Sequence, residues 1–450
     1  MGNGSRFDLL IRGGICVTDS TISTGDVGIR EGKIAAVGQL PGASAETEID
    51  AHGLHILPGV IDSQVHFREP GLEHKEDLGT GTAGAALGGV TAVCEMPNTR
   101  PSTTSAEALA DKVRRGQEKA WTDFAFFMGA AAENADQLCE LEKVPGCCGV
   151  KIFMGSSTGN LLVYEDEVLE AVLRSGSRRV AVHAEDELRL RERRHLVEGE
   201  NARVQDHPHW RDHLTALQAT KRLLGLARRV DRLVHVLHIT TAEEMQLLAR
   251  YSDIATVEVT PQHLTLHAPE CYDRLGSFAQ MNPPIREAHH QKALWEAVRS
   301  GTVTVIGSDH APHTREEKAR PYPRSPSGMP GVQTLLPLML HHVNQGRLEL
   351  RRLVELVCHA PARIYGMQGK GWLAPGFDGD LTLVDMGARR TLSHGQMATR
   401  CGWTPFDGMT VDGWPAATII RGQIVMRDDE LQGQPMGQPL RFVAPDEAEA

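Results

Sequence analysis

Eight compact β-like runs follow one another along the middle of the chain, and this repetition is what most narrows the possible fold. They cover Val60–His66, Thr91–Glu95, Phe124–Met128, Val150–Met154, Val180–Ala184, Leu233–Ile239, Ala255–Thr260 and Val303–Asp309. Successive runs are separated by enough chain for a helix. Three intervening stretches, Ser105–Lys119, Asp212–Arg229 and Ala242–Arg250, have the Ala, Leu, Glu and Arg content of helices. A strand and a helix repeated eight times predict an α/β fold of the (β/α)8 TIM-barrel type. A doubly wound open sheet shares the alternation, but no Gly-rich phosphate loop follows the first run.

Short β-like segments flank this middle region on both sides. Asp8–Gly14 and Gly32–Gly38 near one end, and Gly379–Asp385 and Ala417–Met426 near the other, are bounded by Gly-rich turns. They predict one small β domain built from both chain ends. The expected division is therefore residues 1–57 and 371–432 for that domain, 58–370 for the barrel, and 433–450 for a polar, loosely held tail.

The 47 basic and 58 acidic residues leave a net charge of −11, which argues against nucleic acid or an anionic membrane as the main partner. A small anionic substrate would need a local positive pocket. No stretch reaches about 18 consecutive apolar residues, and Met1 to Gly14 lacks the layout of a signal peptide, so a cytoplasmic protein is expected. Met1-Gly2 resembles a myristoylation start, but Arg6 stands where Ser or Thr is needed. Eight scattered cysteines without a CxxC pair point to reduced core thiols rather than a disulfide scaffold or zinc ribbon.

Barrel enzymes gather their chemistry at the C-terminal ends of the strands. Those ends are polar here: Gln64, His66 and Arg68 after the first run, Asn98 after the second, Lys151 in the fourth, His183 in the fifth, His238 in the sixth and Asp309 in the eighth. Imidazoles, a lysine and a carboxylate on different strands form a candidate metal-binding ring. Strand alternation puts Asp62, Gln64, His66 and Arg68 on one face, and sets His235 and His238 on opposite faces, with His238 the better site candidate. His207-Pro208-His209 has ligand-like spacing but sits in a polar loop, where solvent exposure is expected. His289-His290 and His341-His342 fall on predicted helices as surface or packing residues.

Lys151 lies among Gly149-Val150 and Ile152-Phe153-Met154, where an ammonium would leave water at a cost of several kcal/mol. Burial favours the neutral amine. Such an amine can take up carbon dioxide as a carbamate, an anionic ligand able to bridge two cations. The other reading pairs its ammonium with Asp309 or another acid, and the residues alone leave both open.

The motifs Gly59-Val60-Ile61-Asp62-Ser63-Gln64-Val65-His66-Phe67-Arg68-Glu69-Pro70-Gly71, Glu95-Met96-Pro97-Asn98-Thr99, Val150-Lys151-Ile152-Phe153, Val182-His183-Ala184-Glu185, Met281-Asn282-Pro283-Pro284-Ile285-Arg286 and Ser308-Asp309-His310-Ala311-Pro312-His313 occur in this order. Together they resemble the dihydroorotases of the amidohydrolase superfamily. The likeness spans nearly the whole chain. It implies a metal-dependent barrel that reversibly closes N-carbamoyl-L-aspartate to (S)-dihydroorotate in pyrimidine synthesis. It also implies one or two zinc ions. His66, Lys151 and Asp309 would hold one, and Lys151 as N6-carboxylysine, His183 and His238 the other. Arg68, Asn98 and His313 would clamp the substrate carboxylate, Asn282 and the Ser327-Gly328 backbone would complete the pocket, and Asp309 would move the proton.

Arg68 and His313 favour this reading over dihydropyrimidinases and allantoinases, which share the metal ring. The Pro/Gly-rich segment from His313 to Gly331 is expected to form a mobile loop over the site. One departure is Gln64, where the family usually has a histidine ligand: Gln64 could coordinate weakly through its carbonyl, hydrogen-bond the metal water, or leave the first metal site partly empty, so that the count is one or two zinc ions. A small-molecule substrate and a homo-oligomer are expected. A competing reading is a non-catalytic scaffold that associates with aspartate transcarbamoylase.

Overall fold

The computed structural model describes residues 6–156, 161–199 and 201–443. Met1-Gly2 and the end of the tail, 444–450, lie outside them. The chain opens with strands β1 (Arg6–Val17), β2 (Ile22–Arg30), β3 (Lys33–Gly38), β4 (Ser44–Asp50) and β5 (His55–Pro58). The middle region supplies β6 (Val60–Val65), β7 (Val90–Glu95), β8 (Asp123–Gly129), β9 (Cys147–Phe153), β10 (Val180–His183), β11 (Val234–Val236), β12 (Ala255–Val259) and β13 (Val305–Ile306). The chain returns with β14 (Leu381–Thr391), β15 (Thr410–Ile420), β16 (Gln423–Arg427) and β17 (Glu430–Leu431).

Strands β6 to β13 form one parallel sheet in sequence order. A bridge between Val65 and His310, with the His66 N–H donating to the His310 carbonyl at 2.7 Å, brings its edges together as a barrel. The outward residues Val60, Val93, Phe126, Val150, Val182, Val236 and Val257 pack into the main apolar core under the helices. Ile61, Ala92, Cys94, Phe127, Cys148 and Ala181 form a second apolar cluster. Strands buried on both faces read as near-continuous apolar runs, which explains why they stand out in the sequence. The helices start where short polar side chains can satisfy free N–H groups: Ser105 caps Ala106–Lys119 and Asp212 caps His213–Arg229. All eight cysteines are free thiols.

The remaining nine strands form a single sheet from both chain ends, with β14 pairing antiparallel to β5. The run expected over Ala417–Met426 is two strands. Arg421 and Gly422 both adopt left-handed backbone, φ 46° and 75°, and turn the chain between β15 and β16. Part of the expected tail is bound to the barrel: the Phe124 N–H donates to the Gln438 carbonyl, and the Leu440 N–H donates to the Phe124 carbonyl at 2.8 Å.

Candidate active site

Three strand ends leave extended geometry where the site forms. His238, Asp309 and Arg68 have φ of 39°, 45° and 66°, a region that non-glycine residues enter only when the surroundings hold them there. The runs expected over Leu233–Ile239 and Val303–Asp309 accordingly shorten to β11 and β13. The change also overturns the opposite-face argument for His235 and His238. His235 sits within the barrel beside Glu258, at 3.5 Å, while the chain bends after Val236 and still carries His238 to the pocket. Likewise Asp62 does not join Gln64, His66 and Arg68. The register between β6 and β7 slips between Asp62 and Val65, and Asp62 accepts the Ser308 N–H instead.

One pocket is lined by Gln64, His66, Arg68, Asn98, Lys151, His183, His238, Asn282, Asp309, Ser327 and Gly328, with Phe153 and Ala311 added. His313 stands behind Arg68, its Nε2 3.3 Å from Arg68 Nη2 and 3.0 Å from the Ser327 carbonyl oxygen. Gly328 is required by geometry. It has φ 134°, and a Cβ there would meet the Ala311 carbonyl oxygen at 2.4 Å.

Asp309 is held through one oxygen. Its Oδ1 accepts from Gln64 Nε2 at 3.1 Å and lies 3.1 Å from His66 Nε2, while His66 Nδ1 is 2.8 Å from Asn98 Oδ1. Across the pocket, His183 Nδ1 and His238 Nε2 share a hydrogen bond of 3.0 Å. His183 Nε2 is bonded to Glu185 Oε2 at 3.0 Å, and Arg211 donates to the same carboxylate oxygen. Burial raises the Glu185 carboxyl, but Arg211 and His183 outweigh it and bring the pKa down to about 2. Burial keeps both imidazoles below the ordinary histidine pKa, which favours their neutral, ligand-competent form.

Lys151 is buried, and its Nζ has no hydrogen-bond partner. Burial lowers its pKa to about 7 against the opposing pull of Asp309 and Glu258. It lies 4.4 Å from the centre of the Phe153 ring rather than in an ion pair. Among the described residues no three His, Cys, Asp or Glu side chains converge as a ready-made metal cluster. The donor set nevertheless suits a cation if Lys151 adds an anionic oxygen: Lys151 Nζ, His238 Nδ1 and Gln64 Oε1 are all buried without hydrogen-bond partners.

Arg68 donates from Nε to the Pro312 carbonyl at 3.1 Å, and its buried Nη1 has no partner. Burial lowers its pKa to about 10, still above neutral pH.

Four other groups complete the surroundings. Glu258 is fully buried and accepts from Ser63 Oγ at 3.2 Å, and burial pushes its carboxyl up to about 8. The inward period of Thr256, Glu258 and Thr260 was the signal for it. Glu185, two residues after His183, was legible in the same way. His207 corrects the expected solvent exposure: it is buried, bonded to Asn282 Oδ1 at 3.0 Å and to the Tyr322 hydroxyl at 3.2 Å. The segment expected to be a mobile loop is pinned by Lys318, whose Nζ donates to the Gln280 carbonyl at 3.0 Å and the Pro326 carbonyl at 2.9 Å.

Residues 55–425 match the Amidohydrolase family. A dihydroorotase of Methanosarcina acetivorans is 34% identical over 431 residues, covering 93% of this chain and 91% of its own. An allantoinase of Rubrobacter xylanophilus is 34% identical over 453 residues, covering 98% of each chain. In structure, the L-hydantoinase (dihydropyrimidinase) of Arthrobacter aurescens has a TM-score of 0.91 at 28% identity, covering 96% of this chain and 99% of its own. With its strand-end pocket and a barrel joined to a two-ended β sheet, the chain belongs to the amidohydrolase family.

Proposed function

We propose that this protein is a dihydroorotase, closing N-carbamoyl-L-aspartate to (S)-dihydroorotate and opening the ring in reverse. Arg68 carries the proposal. A buried guanidinium with an unpartnered Nη1 suits the ring carboxylate of dihydroorotate, a group that dihydrouracil, hydantoin and allantoin lack. Relatives named dihydroorotase, at 33% to 35% identity over more than nine-tenths of the chain, support the same reading.

The proposed cofactor is zinc, one or two ions per chain, with Lys151 as N6-carboxylysine. His66, Lys151 and Asp309 would hold one ion, and Lys151, His183 and His238 the other, while Gln64 offers only a neutral amide. When bound, the metal supplies a Lewis acid for the amide carbonyl and lowers the pKa of its water to about 7. Asp309 is the general acid and base. Gln64 donates to its Oδ1, which leaves Oδ2 to carry the proton. In ring opening Asp309 accepts a proton from the attacking water and returns it to the departing ring nitrogen. In closure the attacking nitrogen gives its proton to Asp309, Asp309 passes it to the departing oxygen of the carboxyl, which has taken one further proton from solvent, and that oxygen leaves as water. Arg68, Asn98 and His313 orient the substrate carboxylate, and Asn282 with the Ser327-Gly328 backbone holds the ring.

Turnover of dihydroorotate, dihydrouracil and allantoin by zinc-loaded protein tests the assignment. Dihydroorotate alone should be processed. Turnover of dihydrouracil without dihydroorotate would overturn the substrate. No turnover, with less than one metal per chain, would favour the scaffold reading.

The proposal extends to a cytoplasmic homo-oligomer, its oligomeric state to be tested by light scattering. Association with aspartate transcarbamoylase is its further expectation, to be tested by co-migration. Among the described residues no helix is long and apolar enough to cross a membrane.

A further inference from the structure

The N-terminal ends of β9 to β12 border a cleft of about 800 Å³, at the end of the barrel away from Lys151 and Asp309. Its wall includes Arg178 and Arg179, the two residues before β10, with Leu248, Ile364 and Tyr365. Arg178 donates from Nη1 to the Cys147 carbonyl at 2.6 Å, and its guanidinium lies 5.2 Å from the centre of the Phe442 ring. Arg179 donates from Nη1 to the Val234 carbonyl at 3.0 Å. These bonds pin the guanidiniums toward β9 and β11, on either side of the β10 entrance.

Neither arginine has an ion-pair partner among the described residues, and the Nε of each is buried without a hydrogen-bond acceptor. The nearby acids are engaged elsewhere: Glu142 with Arg232 at 3.0 Å, and Glu355 with Arg363 at 2.5 Å. Two guanidiniums without ion-pair partners at one cleft, in a chain of net charge −11, call for an anion. The apolar wall calls for an organic body attached to it.

We propose that this cleft binds an organic phosphate, with the phosphoryl group between Arg178 and Arg179 and the apolar body against Leu248 and Ile364. A phosphate dianion offers enough acceptor oxygens for both guanidiniums. The site is separate from the ring-opening pocket and does not depend on the reading proposed for that pocket.

Calorimetric titration of the full chain in phosphate-free buffer, with phenyl phosphate and inorganic phosphate as probes, tests it. Phenyl phosphate should bind saturably and more tightly than inorganic phosphate. Arg178→Gln and Arg179→Gln should each weaken it by about tenfold or more, as expected for loss of a charge-assisted contact. Thr302→Trp, which fills the cleft without changing charge, should block binding, and turnover in these variants should be unchanged. Absence of saturable binding, full affinity in all three variants, or loss of binding in Arg68→Met would each overturn the proposal; the last would place the anion in the catalytic pocket.

Discussion

Replacing Arg68 by methionine keeps much of the buried volume and removes the charge. Because burial lowers the guanidinium only to about 10, Arg68 is cationic at neutral pH and meets a carboxylate as a charged donor. Nε is already committed to the Pro312 carbonyl, while Nη1 is open, so the substrate gains at least one charge-assisted hydrogen bond. Such a bond contributes about 1.5 to 3 kcal/mol, which corresponds to about 10- to 150-fold in binding. Arg68→Met should therefore raise KM for dihydroorotate by about that factor, with a smaller change in kcat, because the clamp holds ground and transition states alike. Arg68→Lys should recover only part of the loss, since an ammonium lacks the planar fork. Steady-state kinetics on dihydroorotate and dihydrouracil, with metal content measured in parallel, provide the assay. An unchanged KM, or an equal loss on both substrates at full metal content, would refute the assignment.

Lys151→Ala should lose metal and activity together, and a fully active variant would remove the carbamate. With its pKa near 7, the Lys151 amine is about one-tenth neutral at pH 6 and about nine-tenths neutral at pH 8, so zinc reconstitution should rise between those values. In the metal-free protein the unfolded chain holds a proton that the folded chain releases. The cost of burying Lys151 should therefore be largest below about pH 7 and shrink as pH rises from there toward the ordinary lysine pKa, which chemical denaturation would show as stability rising over that range. Gln64→His should increase the zinc bound per chain, as measured by elemental analysis; unchanged content would mean that Gln64 does not limit occupancy. Lys370→Met should destabilise the fold by about 3 to 5 kcal/mol, because it strips the ion-pair partner from Asp123, Asp378 and Asp380, which lie within 2.9 Å of its Nζ. A loss below about 1 kcal/mol would show that Arg421 and the surrounding bonds suffice.

The strands were legible because their burial is written locally, as in Phe124–Met128 or Val180–Val182, where apolar residues continue without interruption. Their last residues were not. Whether His238 and Asp309 extend a strand or turn to left-handed backbone depends on what meets them at the barrel mouth, and neither local propensity nor alternation reports it. His207 failed for a related reason. The polar sequence around His207-Pro208-His209 is that of an exposed loop, yet His207 is buried by Asn282 and Tyr322, which come from distant parts of the chain. Lys151 could be singled out because a lysine inside an apolar strand is conspicuous in any context. Glu258 has the same character within Val257-Glu258-Val259, but it lies in mid-strand, and what marks its role is the neighbouring Ser63, which comes from a distant part of the chain.

Glu258 also explains how the pocket can hold its groups close to neutral. Asp62, Lys151 and Glu258 occupy the barrel interior with carboxyls raised to about 7 and about 8 and an amine lowered to about 7, each shifted chiefly by loss of water. Each group sits near its own midpoint at neutral pH, where exchanging a proton costs little. Such an interior weakens the fold, and the apolar packing on both sides of the strands offsets it: the valine layer under the helices outside, and Ile61, Ala92, Phe127 and Ala181 in a second cluster. The arrangement is therefore built to accept charge rather than to balance it internally. An ammonium at Lys151 paired with Asp309 would have satisfied both, yet Lys151 Nζ has no hydrogen-bond partner, and Asp309 is held by Gln64 and His66 instead. That separation supports the proposal that Lys151 takes up carbon dioxide and, with Asp309, holds the metal, and that Asp309 also moves the proton.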